Sequence, residues 1–274
     1  MILLGLVLFA FGHYLLGVEI SNANDEIPIT LNDEFFKVAI DYFDIDPDEY
    51  RLVVRGEVNN PLSLSLDEIK ALPVTSWIVR LTCVEYLLGR TERTGVANWT
   101  GVKLSTVLEL AEIDHNKTVD ISFHTPDLSS TGYSTSLKPE EAYWNDTILA
   151  YEMNEVPLPK DHGFPLRLVV PRMFGYKWIK WVAYINATDF NYQGFWETRG
   201  YADSHYVDVI DLPVYYPLTA EGEGPTSDSD IAPTAKKDSS GFGFQLAFFA
   251  ALALLTLSRS RKKKGTEDFR KNKS

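Results

Sequence analysis

The stretch "DHGFPLRLVVPRMFGYKWIKWVAYI", residues 161–185, combines cationic side chains with apolar strand-like runs. Its glycines and prolines divide it into strand, turn and strand. Within twenty residues it carries five basic side chains, in a chain of formal net charge −12: His162, Arg167, Arg172, Lys177 and Lys180. Such a cluster suits a bound anion such as a phosphate. The same pattern also fits the cationic edges of an ordinary hairpin.

Strand-like segments occur along the middle of the chain, at 51–58, 119–125, 166–170 and 178–187. Helical signals are shorter. Ser65-Leu-Asp-Glu68 forms a capping box for a helix that Pro73 ends, and residues 102–113 have amphipathic helical spacing. These patterns predict one α+β domain over residues 27–217, with a strand-rich mixed sheet and short helices.

The N-terminal segment, residues 1–23, is mostly apolar and ends in small residues that suit cleavage after Ala23. It lacks the basic start of a typical signal peptide. We therefore expect a signal peptide or an N-terminal anchor. A buried N-terminal helix is the alternative.

The C-terminal part has three successive compositions. Residues 218–240 are rich in Pro, Gly, Ser, Thr and Asp and predict a flexible stalk. Residues 241–258 predict a transmembrane helix, and the basic tail 259–274 is expected to remain cytoplasmic. A tail removed for a lipid anchor is the alternative, and it has the same sidedness. Both place the domain at 27–217 on the extracellular side of the cell membrane.

Charge and sequence motifs narrow the function classes. The basic tail carries eight Lys/Arg and two acidic residues, so the other 258 residues have a net charge of −18. A surface this acidic repels phosphate backbones and argues against nucleic-acid binding. Four Asn-x-Thr triplets predict a glycoprotein if the domain is extracellular; they begin at Asn98, Asn116, Asn145 and Asn186.

The chain has one cysteine, Cys83, at the end of the strand-like run in "WIVRLTCVEYLLGR", residues 77–90. One thiol forms no internal disulfide and holds no self-contained iron–sulfur cluster. Motifs for dinucleotides, zinc proteases and c-type haem are absent from the sequence. The residues of a Ser-His-Asp catalytic triad have no fixed spacing in a sequence, so this kind of site stays open as an alternative. No Gly-x-Ser-x-Gly motif occurs, however. The thiol is either inert core filling or a ligand.

Four motifs in one order resemble the sulfite-oxidase family of molybdopterin-dependent oxidoreductases, over most of residues 31–210. They are "LTC" (81–83), "NWTGVKLSTVLELA" (98–111), "HGFPLRLVVPRMFGYKWIKWV" (162–182) and "FWETRGY" (195–201). The chain is also similar to methionine-sulfoxide reductase catalytic subunits. The resemblance implies the sulfite-oxidase catalytic-domain fold, a molybdenum–molybdopterin (Mo) cofactor and oxygen-atom transfer.

The resemblance also implies the site residues. Cys83 matches the thiolate ligand of the metal, a role that suits a soft, ionisable sulfur at a strand end. Tyr201 matches a tyrosine beside the metal and is the second catalytic candidate. The cofactor-binding candidates are Thr125, His162, Arg167, Trp178, Ile179, Lys180, Asp33, Phe36 and Lys37.

The sequence departs from the sulfite oxidases after the cysteine. Leu88 occupies the position of an anion-binding arginine, and Glu85 adds a negative charge near the metal ligand. These differences favour reduction of a sulfoxide-like or other neutral oxo substrate. Sulfite oxidation is the first alternative, and a cofactor-free surface binding module is the second. The resemblance implies a separate electron-transfer protein, such as a membrane haem protein, as partner.

Overall fold

The structure is a computed structural model that describes residues 28–40, 42–129 and 132–207. The expected N-terminal segment 1–23, stalk 218–240, transmembrane helix 241–258 and tail 259–274 lie outside the described residues. Within the described part, no helix has the length and apolar composition needed to cross a membrane.

Ten strands make up most of the regular structure that is described. They are β1 (Leu52–Gly56), β2 (Leu62–Leu64), β3 (Val74–Thr82), β4 (Thr94–Lys103), β5 (Asp120–His124), β6 (Ser134–Leu137), β7 (Ile148–Met153), β8 (Val156–Pro157), β9 (Arg167–Val169) and β10 (Tyr184–Thr188). Three short helices accompany them: α1 (Leu66–Lys70), α2 (Leu104–Leu110) and α3 (Pro139–Ala142).

The strands form two sheets of five. The first has the order β2-β1-β10-β5-β6, with β1 parallel to β10 and the other neighbours antiparallel. The second has the order β3-β4-β7-β8, and β9 also pairs with β7. Apolar side chains of both sheets, among them Val54, Trp99 and Phe123, belong to one buried cluster. The α+β prediction with a strand-rich mixed sheet is therefore confirmed.

Helix α1 begins where the sequence predicts. The Glu68 backbone N–H donates to Ser65 Oγ at 3.2 Å, and the Ser65 N–H donates to Glu68 Oε2 at 2.8 Å. This reciprocal capping box satisfies two N–H groups that the first turn leaves without partners.

Two predicted elements have different bounds in the structure. The helix expected at 102–113 begins at Leu104, because Val102 and Lys103 extend β4 and pair with β7. The strand expected at 178–187 is reduced to Tyr184–Thr188. Residues 178–183 are mostly buried outside either sheet, and Trp181 has a left-handed backbone (φ 53°). Because this loop is mostly buried, its residues are as apolar as those of an interior strand, and the sequence pattern therefore predicted a strand.

Candidate active site

A cavity of about 990 Å³, including its solvent-open part, collects residues that are far apart in the sequence. The segment 35–43 contributes one side, and residues 81–93 contribute another. The remaining walls come from Thr125 and Tyr133, from 162–181, and from Trp196 and Tyr201. Side chains from both ends of the described chain thus meet around one cavity.

Cys83 directly follows β3 and precedes the 3-10 turn Val84–Leu88. Its backbone N–H donates to the Arg93 carbonyl at 2.9 Å, which fixes its position at the strand end. Burial raises the pKa of the Cys83 thiol, and the nearby Arg93 guanidinium acts in the opposite direction. The thiol therefore lies in the cavity wall at a rigid position, as a metal ligand requires.

Arg167 lies at another part of the cavity wall and is 3 % exposed. Its guanidinium stacks on Trp99, 4.7 Å from the ring centroid, and donates to the carbonyls of His162 (3.1 Å) and Trp178 (3.3 Å). Its Nε is buried without an acceptor. Burial lowers the pKa of Arg167 to about 9.

Lys180 adds a second cation to this part of the wall. Its Nζ donates to the Asp161 carbonyl at 2.7 Å, and burial lowers the pKa of Lys180 to about 7. Among the described residues, neither Arg167 nor Lys180 forms an ion pair with a carboxylate. A buried and a partly buried cation without a counter-ion fit a cofactor that carries a phosphate.

His162 and Gly163 lie beside these two cations. His162 Nε2–H donates to the Asn32 carbonyl at 2.9 Å, and burial lowers the pKa of His162 to about 4, so the ring is neutral at pH 7. Gly163 has φ 109°, and a Cβ there would lie 2.9 Å from Lys180 Cβ. A larger residue would displace the lysine.

Nine of the eleven predicted site residues line the cavity: Phe36, Cys83, Thr125, His162, Arg167, Trp178, Ile179, Lys180 and Tyr201. The other two do not. Asp33 is exposed, and Lys37 Nζ forms an exposed ion pair with Asp161 Oδ2 at 2.9 Å. Their neighbours Asn32, through its backbone carbonyl, and Phe35, through its ring, contact His162. The cofactor role of each residue stays a prediction.

The cavity wall next to Cys83 contains a charged pair that sequence reasoning missed. Arg93 and Glu85 both line the cavity, and Arg93 Nη1 pairs with Glu85 Oε2. Arg90 Nε lies 3.8 Å from the same oxygen. Leu88 is 39 % exposed and is not among the lining residues. The pairing depends on how the turn Val84–Leu88 folds back, which no local sequence pattern specifies.

Aromatic rings form the rest of this wall. Tyr201 lies between Trp196 and Tyr176, at ring-centroid distances of 4.9 and 5.3 Å. Burial raises the pKa of Tyr201, and the nearby Cys83 adds to the increase. The Tyr201 hydroxyl is therefore protonated at neutral pH and can donate a hydrogen bond.

Comparisons with known proteins agree with this site. The "Oxidoreductase molybdopterin binding domain" family matches residues 39–196. Mitochondrial sulfite oxidase of Rattus norvegicus is 33 % identical over 216 residues, which cover 68 % of this chain and 40 % of that protein. The chain thus spans less than half the length of this relative.

Two further similarities are informative. The "Putative protein-methionine-sulfoxide reductase subunit YedZ1" of Azospira oryzae is 30 % identical over 158 residues, 58 % of this chain and 56 % of that protein. The sulfane dehydrogenase SoxCD of Paracoccus pantotrophus has a TM-score of 0.55 at 24 % identity, covering 60 % of this chain and 45 % of that chain, and shows the fold alone. The chain belongs to the sulfite-oxidase family of molybdopterin-binding oxidoreductases and is an enzyme with a molybdenum–molybdopterin cofactor.

Proposed function

We propose that this protein reduces a neutral, sulfoxide-like oxo compound by oxygen-atom transfer, on the extracellular side of the cell membrane. When bound, the molybdenum cofactor supplies two-electron oxygen-atom transfer. Reduction of a sulfoxide to a thioether consumes two protons and two electrons and releases water. The electrons come from a one-electron carrier protein.

The observation that carries the proposal is the composition of the wall beside Cys83. Glu85 and Arg93 neutralise each other there, and Arg90 lies at the outer side of Glu85 with more than half of its side chain exposed. Aromatic side chains, those of Tyr176, Trp196 and Tyr201, form the neighbouring surface. A neutral substrate with apolar groups suits this wall better than a dianion does.

The chain's own residues have separate tasks in this proposal. Cys83 holds the metal through its sulfur, which must be deprotonated to do so. Arg167 and Lys180 hold the phosphate of the cofactor. The protonated Tyr201 hydroxyl donates a hydrogen bond to the oxygen of the oxo substrate, which favours that substrate's orientation in the cavity.

Sulfite oxidation is the second candidate, and one observation favours it. Arg93 brings a guanidinium into the wall beside Cys83, where an anionic substrate would meet it. Whether this charge is available depends on Glu85. The pair therefore provides a test between the two functions.

We expect Glu85→Gln to improve sulfite oxidation. The change removes one negative charge and leaves Arg93 unpaired in the wall. One unit charge about 8 Å from the substrate interacts with it by roughly 2 kcal/mol at an effective dielectric of ~20. Solvent screening reduces this interaction energy, because the pair is partly exposed. We expect kcat/KM for sulfite to rise about tenfold, a change of ~1.4 kcal/mol, while that for dimethyl sulfoxide changes little.

Glu92→Gln is the matched control, because Glu92 is exposed and does not line the cavity. This substitution also removes one negative charge, but it leaves the ion pair between Arg93 and Glu85 intact. Leu88→Arg should also have a small effect, since Leu88 lies outside the lining. Efficient sulfite oxidation by the wild-type protein, unchanged in Glu85→Gln, would favour the sulfite oxidase assignment instead.

The electron partner is part of the proposal. Among the described residues, no group of three or more His, Cys, Asp or Glu side chains is placed to hold another metal ion. The relative from Azospira oryzae is named as a subunit. That name supports a separate electron-transfer protein, such as a membrane haem protein, as the partner of this chain.

The extracellular location gives a further prediction. Protease added to intact cells should release a soluble, molybdenum-containing domain by cutting within the proposed stalk, residues 218–240. Glycans are expected at Asn116 and Asn145, which are exposed outside the sheets, rather than at Asn98 and Asn186, which lie within β4 and β10. Immunoblotting of the medium, with lysed cells for comparison, measures the release. If protease releases the domain only after the cells are lysed, the domain lies on the cytoplasmic side of the membrane and the prediction is wrong.

A further inference from the structure

A buried ion pair joins three elements behind the aromatic wall of the cavity. Lys177 is completely buried, and its Nζ lies 2.7 Å from Glu197 Oε1. The Thr135 hydroxyl donates to the same oxygen at 2.7 Å. Lys177 ends the 3-10 turn Gly175–Lys177, Glu197 begins the 3-10 turn Glu197–Arg199, and Thr135 lies in β6. One carboxylate oxygen thus holds three separate parts of the chain.

Each of these three parts places an aromatic ring in the cavity. Tyr133 lies two residues before Thr135, Tyr176 directly before Lys177, and Trp196 directly before Glu197. The Tyr133 hydroxyl donates to the Tyr176 carbonyl, which links two of the three parts again. Tyr201 contacts the rings of Tyr176 and Trp196. The ion pair therefore lies directly behind the rings that hold Tyr201.

The backbone around Glu197 leaves this turn little freedom. A Cβ at Gly194 would lie 2.3 Å from the Ser134 carbonyl oxygen, so the chain passes close against β6. Gly200 has φ 91°, and this left-handed residue turns the chain so that the Tyr201 N–H donates to the Trp196 carbonyl at 3.2 Å. Because the turn is this tight, a shift of Glu197 is transmitted to Tyr201. Asp203 Oδ1 lies 3.7 Å from Lys177 Nζ and is the second carboxylate near this lysine.

Burial of such a pair has a desolvation cost that its attraction often does no more than offset. Apolar side chains of similar volume would fill this space equally well. What the charged pair adds is a fixed direction and distance between two turns. We propose that Lys177 and Glu197 are positioning residues that set Tyr201 and its aromatic neighbours against Cys83. This inference rests on the cofactor being held beside Cys83, and not on which oxo compound is reduced.

The test compares Glu197→Gln and Lys177→Gln with the wild-type protein, each purified with cofactor. Molybdenum content should stay close to the wild-type value. The electron paramagnetic resonance spectrum of the one-electron-reduced metal should change, because groups beside the metal have moved. With dimethyl sulfoxide as substrate and reduced benzyl viologen as donor, we expect kcat to fall about ten- to a hundredfold, with KM nearly unchanged.

Asp146→Asn is the matched control. Asp146 is 3 % exposed and pairs with Arg172 Nη2 at 3.0 Å, and neither residue lines the cavity. This variant breaks a buried ion pair elsewhere, so it should lower the melting temperature while leaving the spectrum and kcat unchanged. If Glu197→Gln and Lys177→Gln behave in the same way as Asp146→Asn, the pair is merely structural and the proposal is wrong.

Thr135→Val keeps the test decisive if the charged variants do not fold. The change is nearly isosteric and removes only the hydroxyl bond to Glu197. It should shift the spectrum and kcat in the same direction by a smaller amount, and an unchanged spectrum and kcat would overturn the proposal. If wild-type protein does not reduce dimethyl sulfoxide, the proposed function fails on that substrate, while the spectrum still decides the role of the pair.

Discussion

Cys83→Ser is expected to give a folded protein whose kcat is lower by at least about a thousandfold, an increase of ~4 kcal/mol in the activation barrier. A serine hydroxyl is similar in size to the thiol but is a harder and far less acidic ligand, so it does not replace the thiolate at the metal. The position itself depends on the backbone, through the Cys83 N–H bond to Arg93, which serine retains.

Three measurements check this expectation. Thermal unfolding should show a melting temperature near the wild-type value, since the side chain is only partly buried and the change is small. Pterin content should stay close to normal, because Arg167 and Lys180, the cations proposed to hold it, are unchanged. Steady-state kinetics with dimethyl sulfoxide and with sulfite should both show the loss. Full activity of Cys83→Ser on either compound would mean that the thiol is core filling.

Lys180→Met and Arg167→Ala are expected to weaken cofactor binding about ten- to a hundredfold, the loss of one charge-assisted hydrogen bond worth roughly 1.5–3 kcal/mol. Pterin fluorescence after release from the purified protein and molybdenum analysis both measure the occupancy. Lys160→Ala is the control, because Lys160 pairs with Asp44 on the surface and does not line the cavity. Wild-type cofactor content in both cavity variants would contradict their assignment.

Lys180 is expected to strengthen cofactor binding, but it destabilises the folded protein when the cofactor is absent. Burial lowers the pKa of Lys180 to about 7 from its ordinary value of 10.5, so the unfolded chain binds this proton more tightly than the folded chain. The cofactor-free protein should therefore gain stability as pH rises from about 7 towards 10.5. Lys180→Met removes this gain and stabilises the cofactor-free protein at pH 7. Melting temperatures of both proteins across this pH range measure the difference.

Local patterns were sufficient for several parts of the fold and the site. The capping box at Ser65 and Glu68 predicted α1 because both hydrogen bonds are formed within four residues. Cys83 was placed at a strand end because an apolar run precedes it, and β3 ends at Thr82. Of the five basic residues in the stretch 161–185, three line the cavity, namely Arg167, Lys180 and the neutral His162. Arg172 and Lys177 form ion pairs outside the lining.

The sequence pattern did not predict the structure correctly where a segment is buried by distant parts of the chain. Residues 178–183 have the composition of an interior strand, yet they form a buried loop in the cavity wall. Asp33, Phe36 and Lys37 were all expected beside the cofactor by resemblance, and Phe36 lines the cavity whereas Asp33 and Lys37 are exposed outside its lining. An irregular segment has no periodic pattern that tells which of its side chains face inward.

The sequence by itself determined the family, the α+β class and the identity of the metal-ligand candidate, because these depend on residue types in a fixed order. Only the tertiary structure decided the charge around that ligand. Glu85 has an isolated negative charge in the sequence, whereas in the fold Arg93 neutralises it from eight residues away. The ion pair of Lys177 and Glu197 likewise spans twenty residues and is formed by two turns meeting at β6. Electrostatic interactions depend on distance in space, and that distance is set only when the sheets have packed.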